Sequence, residues 1–271
     1  MKTEKNHKLG IVVSLIGSLL GIIGHFLIFQ NWYFRGMAAD SAEEGCEILL
    51  KYIHPALTDL GILAGVLFLV AAFGFYLKQY WAWILSVLAI VFALQGSWFI
   101  NVPYMAAGLP PVYFSIFFPY LILYFVLLRG VGKEPWNKTL LALLAGLTFV
   151  LTFMNGVSSL SRIITIGAPI FIMTQRLHWI AMVGYGVITV GIILKPRQWM
   201  WVTGIVASVL ELVVGIPLAL ETMRELGRFS LFSLAPIGCL IFLVVLLWPG
   251  VWQGIVEPDQ KMVPKGNVEL A

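Results

Sequence analysis

Charge is scarce in this chain. Only 11% of its 271 residues are Asp, Glu, Lys or Arg, where soluble domains carry about 25%. So few charges cannot cover a surface that faces water, and a water-soluble fold is excluded. Cysteine is nearly missing as well. Cys46 falls in a loop and Cys239 inside the last apolar run. They lie at different depths, which does not suit a disulfide, and neither has a partner at metal-ligand spacing. There is no Gly-rich phosphate loop, no nucleic-acid-binding motif and no spaced nucleophile, so the sequence assigns no catalytic residue, metal or cofactor. The net charge of +4 comes from basic residues scattered between apolar runs. That is the pattern of loops on the inner side of a membrane, not of a nucleic-acid surface.

Hydrophobic length is abundant. The chain is 60% hydrophobic, with mean hydropathy +0.94. Eight runs stand out: Leu9–Phe29, Ala56–Leu77, Trp81–Ile100, Val112–Leu128, Thr139–Gly156, His178–Leu194, Trp199–Leu220 and Leu231–Trp248. Runs of about 17–25 residues span the hydrocarbon of a bilayer. Backbone groups in hydrocarbon need partners within the segment, and the runs are too long for barrel strands, so they are predicted helices. The basic segment Met1–Lys8 before the first run could be mistaken for a leader. The run is longer than a usual leader core and no small-x-small site follows, so it is read as the first transmembrane helix.

Polar and aromatic punctuation recurs in the same order in both halves. Asn31 precedes His54 by 23 positions, as Asn155 precedes His178. Leu77-Lys78 and Trp81-Ala82-Trp83 answer to Leu194-Lys195 and Trp199-Met200-Trp201. Pro103, Phe114–Phe117 and Pro119 answer to Pro217, Phe229–Phe232 and Pro236. The fold expected is an all-α integral membrane protein of eight transmembrane helices. It divides into two four-helix repeats, residues 1–130 and 131–250, followed by a disordered cytoplasmic tail at 251–271. Each half has an even number of spans, so the halves point the same way. That implies a pseudo-two-fold axis along the membrane normal.

Orientation follows from the basic residues. With the N-terminus inside, inner segments hold 11 Lys and Arg and outer segments hold 6, which places both termini in the cytoplasm of a cell-membrane protein. Two outer segments are expected to have structure of their own. Asp40–Ile53 reads as a surface helix, with Ser41 and Glu44 as a capping box. Ser158–Leu177 reads as an interfacial or re-entrant element broken near Pro169.

Ionisable and amide groups inside a bilayer are costly, which makes them candidates for function. At about 1.5 Å of rise per residue, Glu211 stands roughly 18 Å above the inner end of its helix, near the midplane. Gln95, His25 and Asn155 stand roughly 21–24 Å up. Asp59 lies near the outer surface, with Asn101, His54 and His178 at the outer interface. The inner halves of most spans hold no ionisable residue. With Pro119 and Pro236 splaying their helices outside, these eight polar residues predict an outward-facing polar pocket between the repeats. Glu211 reads either as a structural carboxyl or as a ligand or proton site. The His54 and His178 pairs read as interfacial anchors, or as parts of the pocket.

Three functions fit. The first is a non-enzymatic membrane protein whose pocket takes a lipid, quinone or other amphipathic ligand, or which serves as an accessory subunit of a membrane complex. The second is a small-solute transporter whose halves rock about Glu211. The third is a membrane enzyme acting on a lipid or isoprenoid, with Glu211 and Asp59 as acid and base. The partners implied are the lipid bilayer and an amphipathic small ligand or membrane-complex subunits, with no nucleic acid.

Overall fold

The computed structural model describes residues 5–39, 49–165 and 167–256. Among them every regular element is helical. Seven helices are long and apolar enough to cross a membrane: α1 His7–Ala38, α2 Leu50–Tyr76, α3 Trp81–Ala106, α4 Phe114–Val131, α5 Trp136–Thr165, α6 Pro169–Leu194 and α7 Gln198–Leu226. An eighth, α8 Leu231–Leu247, is apolar but shorter. This is a multi-pass membrane architecture. The apolar side chains left exposed, such as Leu19, Phe26, Val66, Phe73, Val206 and Val213, face the bilayer instead of water.

Short turns join α2 to α3, α4 to α5 and α6 to α7, so sequence neighbours run antiparallel. Within the first half α1 packs on α2, α2 on α3, α3 on α4, and the end of α4 returns to α1. The second half repeats this order from α5 to α8. Each half is a closed ring of four helices. Glycine sets the tightest approach. Gly21 of α1 lies against Gly65 of α2, and a Cβ at Gly21 would press on the Gly65 backbone and come 2.9 Å from the Gly61 carbonyl.

The two rings meet through α3 and α4 on one side and α5 and α6 on the other. Phe99 of α3 stands edge-on to Phe153 of α5, with ring centroids 5.6 Å apart. The Tyr124 hydroxyl of α4 donates to the Thr139 carbonyl of α5 at 2.7 Å. A half turn about the membrane normal would exchange equivalent helices, so it would also pack α7 and α8 on α1 and α2. No comparable packing joins those helices among the described residues. These contacts do not show the expected two-fold relation between the halves.

Helix boundaries also depart from the sequence reading. The segment Ser158–Leu177 forms no separate element. α5 runs on to Thr165, and Pro169 opens α6 after an extended Ala168, a position where its missing N–H costs nothing. Pro236 likewise sits in the first turn of α8, behind the short 3-10 turn Leu231–Ser233, so it does not splay that helix. Pro119 and Pro217 are internal to α4 and α7. The start of the expected tail is packed. Trp252 is buried, its indole N–H donates to Gln198 Oε1 at 3.2 Å, and Ile255 and Val256 are buried beside it. The expected capping box at Ser41 and Glu44, Cys46, and the tail from residue 257 lie outside the described residues.

Candidate functional site

α7 buries one stripe: Met200, Gly204, Ala207, Ser208, Glu211, Val214, Gly215 and Leu218. The spacing is that of one helical face. Small residues on either side of Glu211 let the neighbouring helices close over it. The carboxyl folds back along the helix across Gly215, where a Cβ would stand 2.8 Å from Oε1. Glycine at 215 is therefore a condition of the carboxyl's position.

Two helices supply its partners. His178 of α6 places Nδ1 2.8 Å from Glu211 Oε2. Asn155 of α5 donates through Nδ2 to Glu211 Oε1 at 2.9 Å. The same amide donates to the Phe232 carbonyl, in the turn that opens α8, at 3.2 Å. One carboxyl and one amide thus tie together all four elements of the second ring. Next to them Gln175 Nε2 donates to the Gly156 carbonyl at 2.9 Å. Glu211, His178 and Asn155 are each 0% exposed. Two atoms of the cluster, His178 Nε2 and Asn155 Oδ1, have no hydrogen-bond partner among the described residues. One turn further along, the Tyr185 hydroxyl lies 2.7 Å from Ser208 Oγ, and the buried thiol of Cys239 adjoins it.

The first ring is built differently. His54 Nε2 lies 2.7 Å from the Tyr113 hydroxyl, which also lies 3.0 Å from Thr58 Oγ1. The Tyr104 hydroxyl donates to the Trp32 carbonyl at 2.9 Å and stands edge-on beside His54. His25 follows a π-helical turn at Leu20–Gly24. Its ring lies against the Cα of Gly61 and edge-on to Tyr113, with centroids 5.6 Å apart. Neither of its ring nitrogens has a partner among the described residues, and the same holds for both side-chain polar atoms of Gln95.

The equal spacings around His54 and His178 do not place them equally. His54 stands 22 residues before the end of α2 and His178 16 before the end of α6, a difference of about 9 Å in height. The height of His178 is matched in the first ring by Gly61, and that of Asn155 by His25. Asn31, the sequence counterpart of Asn155, is exposed and donates back to the Leu27 carbonyl at 2.7 Å. Asp59 is exposed on α2. Asn101 caps its own helix, donating to the Ser97 carbonyl at 2.9 Å. Of the eight candidates, therefore, Glu211, Asn155 and His178 form one cluster in the second ring, and His25 and His54 meet on Tyr113 in the first. Tyr113, Tyr104 and Thr58 were not anticipated. The available signal was that a buried Tyr hydroxyl needs a partner.

The junction between the rings is not polar as expected. It holds a cleft walled by Val91, Leu94, Phe117, Leu121, Leu143 and Val150, among others, with the rim residue Leu147 44% exposed. Glu211, Asn155 and His178 lie inside the second ring, where they bond across neighbouring helices. Gln95 has the height expected of it. Its helical phase, between Val91 and Phe99, turns it toward the junction and away from His25.

No protein-family model matches the sequence, and comparison with curated proteins and with solved structures returned no match. The chemistry must be read from the residues. A carboxyl bonded to an imidazole can hold and release a proton. No group of three His, Cys, Asp or Glu that could hold a metal occurs among the described residues.

Proposed function

We propose that this is a non-enzymatic membrane protein that binds the hydrocarbon portion of an amphipathic ligand, such as a lipid or quinone, in the cleft between two four-helix units. The observation that carries this reading is the cleft itself. Its walls are aliphatic and aromatic, and α3 contributes Val91, Leu94 and Trp98 from the middle of its span. At that height the medium is hydrocarbon, and a chain of methylenes gains about 0.8 kcal/mol per buried CH₂ only where it leaves water or fills space that lipid packs poorly. The eight helices act as a duplicated unit, residues 1–130 and 131–250, with the second copy displaced sideways from the first. Both termini face the cytoplasm.

Gly146 gives the test. A Cβ there meets only Thr189 Cγ2, at 3.4 Å, so Gly146→Leu should fold while its side chain fills the cleft. Native mass spectrometry of the wild type should release a co-purifying lipid or isoprenoid that the variant has lost. Equal retention by a folded variant would overturn the reading. Orientation is tested separately. On a Cys46→Ser background Lys133→Cys should resist an impermeant thiol reagent in intact cells, and labelling from outside would reverse the topology.

A second reading, a small-solute transporter, is favoured by the position of Glu211, 13 residues into a 29-residue helix. It predicts solute-dependent protection of His178 and Glu211 that a lipid-binding protein would not give.

A further inference from the structure

We propose that the second ring contains a binding site for one exchangeable proton, shared by Glu211 and His178, whose occupancy controls how tightly α5, α6 and α7 are held together. The site is separate from the junction cleft and does not depend on what the cleft binds.

Its bonds show what one proton more or less would do. With a single proton between His178 Nδ1 and Glu211 Oε2, the imidazole donates and the carboxylate accepts at 2.8 Å. The other carboxylate oxygen accepts from Asn155 at 2.9 Å. The cluster then carries one negative charge. Its two unpartnered atoms, His178 Nε2 and Asn155 Oδ1, are both acceptors and cannot serve each other. Both belong to residues that are 0% exposed, where an unpartnered polar atom is expensive.

A second proton, delivered from water, settles on Nε2. One N–H bond forms as one O–H bond of a hydronium ion breaks, leaving water. The imidazolium now balances the carboxylate, and Nε2–H becomes a donor. The remaining orphan, Asn155 Oδ1, is the acceptor it lacks. The two orphans are therefore mismatched in one proton state and complementary in the other. For Asn155 to turn its oxygen toward the imidazolium, its Nδ2 bonds to Glu211 and to the Phe232 carbonyl must lengthen. Those bonds hold α5 to α7 and to the start of α8, so taking up the proton loosens that side of the ring.

The groups around the site leave this proton to the pair. Tyr185 on α6 bonds Ser208 on α7 at 2.7 Å. Cys239 on α8 adjoins Tyr185. Neither phenol nor thiol ordinarily titrates below about pH 8, whereas imidazole does so between about pH 5 and 8. Arg162, the buried cation on α5, lies seven residues beyond Asn155 and has an interaction of its own.

The test uses the full-length protein in liposomes. With ¹⁵N-labelled histidine, the two ring nitrogens of His178 should pass from one protonated to both protonated as pH falls. His178→Gln assigns the signal. Over the same range, hydrogen exchange in α5 and α7 should speed up by at least about threefold beyond the intrinsic pH effect, and Glu211→Gln should abolish that increase. A His178 that keeps a single tautomer across the range would overturn the proposal without recourse to any variant. An increase that survives in Glu211→Gln would overturn the coupling to helix packing.

Discussion

Glu211→Leu should destabilise the second ring by about 2–5 kcal/mol, the largest loss expected from any single polar substitution in this protein. Leucine is close to glutamate in size, so packing changes little. What changes is that the Asn155 amide keeps only the Phe232 carbonyl and His178 Nδ1 keeps nothing. Each polar group left unpaired in an interior costs about 1–3 kcal/mol. Glu211→Gln should cost much less, because its oxygen can still accept from Asn155 and its amide can donate to His178 in the other tautomer. Reversible unfolding in mixed micelles separates the two variants. Equal losses for Leu and Gln would show that ionisation, not hydrogen bonding, holds the cluster. Negligible loss for both would show that the ring is held by packing alone. Equal unfolding free energies for wild type and Glu211→Gln would leave the proton proposal standing, since that is read from His178 in the wild type.

The membrane class and the helical content were legible in the sequence because bilayer thickness sets run length directly. How far Glu211, Asn155 and Gln95 stand along their helices can be counted from the sequence, as rise per residue is nearly constant. What height does not give is azimuth. Gln95 and Glu211 stand 14 and 13 residues into their helices, yet Glu211 turns into its ring and Gln95 toward the junction. Whole-sequence spacing misled in the opposite way. The interval of 23 from Asn to His recurs, but in the first half it joins the last residues of α1 to the first residues of α2 and in the second it runs along α5 and α6. Equal intervals therefore reached different heights. The recurring punctuation does not by itself define an axis between the halves, because its order is identical for a half turn and for a sideways shift.

Gly61→Ala should be a strongly damaging single-methyl addition in the first ring, and the loss should depend on His25. A Cβ at Gly61 would fall within the imidazole of His25. The ring has little room to retreat, since Tyr113 and Tyr120 stand around it with centroids 5.6 and 6.2 Å away. Overpacking of this kind costs about 1–3 kcal/mol and more where the backbone cannot shift. Here α1 is pinned to α2 by Gly21 against Gly65, so the upper end of that range is expected. His25→Ala alone should cost less than most buried truncations, because it also removes two nitrogens that have no partner among the described residues. In the double variant the new methyl enters the space the ring has left. The two losses should then fall short of additivity by about 1–3 kcal/mol. Gly96→Ala is the control. Its Cβ would press on the Leu57 carbonyl at 2.8 Å and the Gly61 nitrogen at 3.1 Å, both backbone, so His25→Ala should not relieve it. If Gly61→Ala and His25→Ala add to within about 0.5 kcal/mol, the imidazole does not occupy that space. The match in height between His25 in the first ring and Asn155 in the second would then lose its structural meaning.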